Sequence, residues 1–178
     1  MSCEILLLGD VSSGKSSMVN TISLQFIAET SQEKLTRNVE IYKFKKNPNA
    51  DEKNVYRLNS DFDEITIIDT PGFTDSAFSN DNKTHTETLS NFLNEKSGNA
   101  KIVMYIIDRS RPCMTQIMYD TLSHINEKIN ENKNNGNYID FFVIFNKFDR
   151  RGMNIDEAKN GIRKTIKNDS IKIFLLYA

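Results

Sequence analysis

Three short clusters of residues have the types and order needed to hold a phosphorylated ligand. The first, Gly9-Asp10-Val11-Ser12-Ser13-Gly14-Lys15-Ser16, has glycines and a Lys-Ser pair at the fixed positions of a phosphate loop. Glycines at 9 and 14 let the backbone wrap closely, so that successive N–H groups point at phosphate oxygens. A helix opening at Lys15 would add its partial positive charge at the same point. Lys15 would then reach the β- and γ-phosphates, Ser16 would ligate Mg²⁺, and Ser17 would bond the α-phosphate. This pattern alone does not separate ATP from GTP.

The second cluster is Asp69-Thr70-Pro71-Gly72, after the apolar run Ile65–Ile68. A carboxylate at the carboxyl end of a buried strand can hold a magnesium-bound water beside a phosphate loop. The backbone N–H of Gly72 is placed to bond the γ-phosphate and so to report on its loss. Taken by itself, the cluster is an ordinary strand end followed by an Asp–Pro–Gly turn. Phe73 follows, where many switch proteins carry a glutamine that orients water; a phenyl ring cannot do that, so slow hydrolysis is expected. The third cluster, Asn146-Lys147-Phe148-Asp149, follows the apolar run Ile139–Phe145. The carboxylate of Asp149 can accept from N1–H and the exocyclic amine of guanine, and adenine offers neither donor. Asn146 can contact N7 and tie this loop to the phosphate loop, while the stem of Lys147 packs over the ring. The three clusters together predict GTP and GDP as ligands, with Mg²⁺.

Positioning these clusters requires strands that end where they begin. Glu4–Leu8 is a continuous apolar run, short enough for a buried parallel strand. Lys15–Ile27 reads as a helix, Val39–Lys45 as a half-buried or edge strand, and Val55–Leu58 as the extension of a hairpin towards Ile65–Ile68. Further helices are predicted over Thr84–Lys96, Thr115–Asn130 and Ile155–Ile166, the last capped by Asn154 or Asp156. Ala100–Ile107, Ile139–Phe145 and Ile171–Tyr177 complete the strands, with Asn132–Asn137 as a polar loop. The alternation predicts an α/β fold with a mainly parallel sheet and helices on both faces, and the three clusters together mark it as a three-layer P-loop NTPase G domain. At 178 residues the chain, 1–178, reads as a single domain.

The cluster order Gly9–Ser16, Asp69–Gly72, Asn146–Asp149 resembles the translation-factor-related GTPases over the chain from first strand to last. The wording of Gly14–Ile22 and of Ile67–Phe73 is similar to the AIG-type, immunity-associated GTPases and to the Toc GTPases of chloroplast import; septins are a more distant likeness. The resemblance implies a guanine-nucleotide switch that slowly hydrolyses GTP, and G domains that pair across the nucleotide as a GTP-dependent homodimer. It also implies a switch threonine on Mg²⁺, for which Thr36 is the candidate and Thr30 the competitor. An arginine after the strand Ile102–Ile107, Arg109 or Arg111, would be offered to a neighbouring subunit, and Arg111 is carried as the catalytic candidate with Lys15, Thr36 and Gly72. Ala178 would begin the loop whose N–H reaches the guanine oxygen. The family's final helix has no counterpart here, so a chain truncated at its C-terminus, or a partner covering an apolar flank, is expected.

Composition excludes several other classes. A net charge of −1 gives no basic excess for nucleic acid or an anionic membrane. Two cysteines, Cys3 and Cys113, make neither a disulfide framework nor a metal site and suit a cytoplasmic location. The apolar runs are too short to cross a bilayer, so membrane contact would need segments outside this chain. His85 and His124 read as surface or capping histidines. Set against the switch is an assembly module with negligible hydrolysis, motivated by Phe73 and the absent final helix.

Overall fold

A stretch of strand buried on both faces must be apolar, and in β1 (Ser2–Gly9) the run Ile5 to Leu8 meets that condition, all four residues being buried. In the computed structural model, which describes residues 2–23, 38–45, 62–72, 80–95, 98–134, 138–147, 152–167 and 171–176, β1 lies inside the sheet. The other elements are α1 (Lys15–Ser23), β2 (Glu40–Lys45), β3 (Glu64–Asp69), α2 (Asn80–Asn94), β4 (Ala100–Asp108), α3 (Gln116–Asn134), β5 (Ile139–Asn146), α4 (Ile155–Ile166) and β6 (Lys172–Leu175). The six strands run in the order β2-β3-β1-β4-β5-β6. All neighbours pair parallel except β2, which is antiparallel to β3 and closes one edge.

Register decides where the polar strand ends fall. Leu7 sits opposite Asp69, Gly9 opposite Ile106, and Asp108 opposite Asn146. Gly9, Asp69 and Asn146 therefore share the carboxyl edge of the sheet. The chain leaves β1 to form β3 on one side and β4 on the other, and a crevice opens at such a reversal.

Alternation along β1 divides the core into two layers. Ile5 and Leu7 join Ile67, Ile106 and Ile144 against Met18 and Val19 of α1. Leu6 and Leu8 join Val103, Tyr105, Ile107 and Val143 on the opposite face, beneath α2, α3 and α4. The expected three-layer architecture is present, with four helices among the described residues. On the α1 side Ile102, Met104 and Phe142 are partly buried and Phe174 is half exposed.

Some boundaries differ from expectation. The polar stretch 132–137 is expected to be a loop, yet α3 continues to Asn134. Asn132 is buried there and its Nδ2 donates to Lys128 O at 3.0 Å, a bond within the helix that composition does not reveal. Helix α2 begins at Asn80 rather than Thr84, because its first turn is polar and gives no apolar rhythm. The alternatives for the α4 cap resolve to Asn154, whose side chain accepts from the N–H groups of Asp156 and Glu157. Residues 24–27 of the first expected helix and the strand Val55–Leu58 lie outside the described residues.

Candidate functional site

The turn from β1 into α1 has the backbone that its glycines allow. Gly9 has φ +146° and Gly14 φ +98°. A Cβ at Gly9 would lie 2.3 Å from Ile106 O, and one at Gly14 would lie 2.1 Å from Asn146 Nδ2, so both positions need the absent side chain. Ser13 N donates to Asp10 O at 3.2 Å and closes the turn. Lys15 folds back across it, with Nζ donating to Gly9 O at 2.9 Å and to Asp10 O at 2.8 Å. Burial lowers the Lys15 ammonium to about 8, against the attraction of Asp69 and Asp10. Ser17 is exposed on the first turn of α1.

Asp69 ends β3 beside this turn and is fully buried. Its Oδ2 accepts from Ser16 Oγ at 2.7 Å, while Oδ1 is buried with no hydrogen-bond partner among the described residues. Burial raises the carboxyl above its ordinary value, opposed by the Ser16 bond and the charge of Lys15. Thr70 Oγ1 donates to Leu7 O at 2.8 Å and fixes the segment to β1. Gly72 then lies against the phosphate loop: a Cβ there would be 2.4 Å from Val11 N.

From β5, Asn146 donates through Nδ2 to Ser13 O at 3.1 Å, the expected tie between the two loops, and its Oδ1 is another buried acceptor without a partner among the described residues. Lys147 has φ +58° and its Nζ donates to Ser12 O at 2.8 Å and to Asp108 Oδ2 at 2.6 Å. Burial would raise the Asp108 carboxyl, but hydrogen bonds from Lys147 and Ser110 outweigh it and hold the group below its ordinary value. Arg111 does not extend away from the domain. Its Nη1 lies 3.1 Å from Asp10 Oδ2, and Asp10 is also hydrogen-bonded by the Tyr105 hydroxyl.

The structure thus brings together Gly9–Ser16, Asp69, Gly72, Asn146, Lys147 and Arg111. Thr36, Thr30, Phe73, Phe148, Asp149 and Ala178 lie outside the described residues, as does the side chain of His85; His124 is exposed on α3. Sequence reasoning missed Asp108 and Tyr105. Asp108 carried a readable signal, since like Asp69 it ends an apolar strand; a tyrosine inside an apolar run did not.

Two buried acceptors at this edge, Asp69 Oδ1 and Asn146 Oδ1, have no partner among the described residues. Asp69 Oδ1, next to the Ser16 hydroxyl, suits a hard divalent cation, whereas guanine N7 only accepts and would take its hydrogen bond from Asn146 Nδ2, not from Oδ1. Among the described residues no group of three or more His, Cys, Asp or Glu could hold a metal alone, so a cation here would draw its other ligands from phosphate and water.

The family model for the 50S ribosome-binding GTPases matches residues 4–147. No curated protein matches the sequence. Among solved structures, a dimerization-deficient mutant of Toc33 from Arabidopsis thaliana is similar at TM-score 0.64 and 16% identity, over 98% of this chain and 70% of that one. Toc33 in complex with Mg²⁺ and GMPPNP gives TM-score 0.61 at 18% identity, over 98% and 70%. Era in complex with MgGDPNP and a fragment of 16S ribosomal RNA gives TM-score 0.61 at 17% identity, over 98% of this chain and 50% of that one. At such identities the likeness is one of fold.

Proposed function

The chain belongs to the 50S ribosome-binding GTPase family, and from that premise we propose that residues 1–178 form one GTP-binding domain, which takes up GTP and GDP with Mg²⁺ and slowly hydrolyses GTP to GDP and phosphate as a switch. The observation that carries the proposal is the meeting of the Gly9–Ser16 loop, Asp69, Gly72 and Asn146 at one edge of the sheet, with buried acceptors left unpaired. Lys15 and the loop N–H groups would hold the phosphates. Ser16, Asp69 and Thr36 would hold Mg²⁺, which supplies positive charge against the phosphate oxygens. Water would attack the γ-phosphorus in line as the bond to the β-phosphate oxygen breaks, with charge stabilised by Lys15 and the Gly72 N–H. Phe73 provides no group to orient that water, which supports a low rate. Asp149 would read the guanine edge, and Ala178 would approach the guanine oxygen.

The location we assign is cytoplasmic; among the described residues no helix is long and apolar enough to cross a membrane. The balanced charge supports a nucleotide rather than a nucleic acid as ligand. Competition against a fluorescent GDP analogue tests the reading. GTP should displace the analogue and ATP should not, and Asp149→Asn should erase the difference. Equal displacement by ATP in the wild type would overturn it.

A second reading, a GTP-dependent assembly module with negligible hydrolysis, is favoured by Phe73 and by the Toc33 structure whose mutant is named for lost dimerization. Turnover per molecule that rises with protein concentration supports paired catalysis. Dimerization with GTP but without turnover supports the scaffold.

A further inference from the structure

Inside the phosphate loop this chain carries an acid. Asp10 is 8% exposed, and a buried carboxylate persists only where it is paired. Two groups from β4 and the loop after it meet it: the Tyr105 hydroxyl from beneath and the Arg111 guanidinium from the side, at 3.1 Å. A third charge is close, since Lys15 bonds the main-chain oxygen of Asp10 and feels its carboxylate. Without Arg111, Lys15 would be the cation left to face both Asp10 and Asp69.

We propose that Arg111 is a positioning residue acting in cis: by pairing with Asp10 it cancels the negative charge built into the phosphate loop and so leaves Lys15 and the loop amides free to receive a polyphosphate. The inference rests on the nucleotide reading above and deepens it. The loop that carries Arg111 is held for this task. Arg111 N donates to Asp108 O, Arg109 N to Asn146 O, and Met153 N to Arg109 O. Gly152 packs so closely that a Cβ would lie 2.1 Å from Arg109 O and 3.0 Å from Arg111 O. Sending Arg111 to a second subunit would strip Asp10 of its counter-charge within the very loop that must accept the nucleotide. The two roles are in competition, and the geometry supports the one within the chain.

The experiment is a charge cycle read by fluorescent GDP and GTP titration on the whole chain. Arg111→Ala should weaken GDP binding about tenfold or more, and GTP binding further, because the uncovered carboxylate repels in proportion to phosphate charge. Adding Asp10→Asn to Arg111→Ala should return affinity to that of Asp10→Asn alone, and Arg111→Lys should keep most of it. A merely structural role would lower the melting temperature without this rescue and without the difference between GDP and GTP. Should Arg111→Ala not fold, Arg111→Gln gives the same reading. Affinity unchanged in folded Arg111→Ala, or a loss that Asp10→Asn does not relieve, overturns the inference; unchanged affinity with turnover that no longer rises with concentration would return Arg111 to the neighbouring subunit. A wild-type protein that binds neither analogue would overturn the nucleotide reading itself, and this inference with it.

Discussion

Asp108 joins two loops that the sequence separates. Its Oδ1 accepts from the N–H and Oγ of Ser110, its Oδ2 from Lys147, and Lys147 in turn reaches Ser12 of the phosphate loop. The side chains of Asp108 and Lys147 are 10% and 25% exposed, so the pair is shielded enough to matter. With the folded-state carboxyl below its ordinary value, the unfolded chain binds the proton more readily. The stabilisation is therefore present above the unfolded value and is lost as pH falls through the lower, folded one. Asp108→Asn should cost about 1–2 kcal/mol at pH 7, and the gap to wild type should close below about pH 4. Urea unfolding across that range is the measurement; a gap that stays constant with pH would remove the charge from the explanation. The same substitution should weaken guanine-nucleotide binding, because Lys147 loses its anchor.

At the scale of elements, what was legible followed from burial. β1, β4 and β5 lie inside the sheet, so most of each appears as an apolar run, and the polar clusters at the ends of β1 and β5 stand out against those runs in the residue order itself. Long-range partners were not legible: nothing in the residue types says that Arg111 meets Asp10, or that Asn132 is a buried helical residue. Lys101 is another such case. Charged, and at the start of β4, it reads as a solvated strand end, yet it is 5% exposed and donates to the oxygens of Phe92 and Glu95. Those carbonyls belong to the last turn of α2 and its exit, where helical bonding runs out. Its ammonium also lies 4.9 Å from the centre of the Phe92 ring and 4.0 Å from Glu4. Lys101→Met keeps the stem and removes the donor. It should cost about 1–3 kcal/mol, with faster hydrogen exchange concentrated in the last turn of α2. Stability lost evenly over the molecule, with α2 protection unchanged, would refute the capping role.

The whole molecule is tested best by coupling its two ends. Cys3 lies near the amino end of β1, paired with Ile65 and Ala100, while Gly9 at the other end enters the phosphate loop, about 20 Å along the strand. Because β1 is hydrogen-bonded on both sides, freeing Cys3 means parting β1 from both β3 and β4, which amounts to unfolding the sheet. The thiol is 2% exposed and pushed up to about 11 by burial, with Glu4 and Asp140 adding to the effect. In the folded state it is neither reachable nor ionised near neutral pH. Cys113, by contrast, is exposed on the loop after β4 and should react at once. In a Cys113→Ser variant, labelling of Cys3 should therefore report only global opening. A ligand bound at the far edge of the sheet must then protect it: GDP with Mg²⁺ at a hundred times its dissociation constant should slow labelling about a hundredfold, since binding removes the open state by mass action. If GDP binds and Cys3 labels at an unchanged rate, the amino ends of the strands open separately from the nucleotide edge, and β1 does not link them as one cooperative unit.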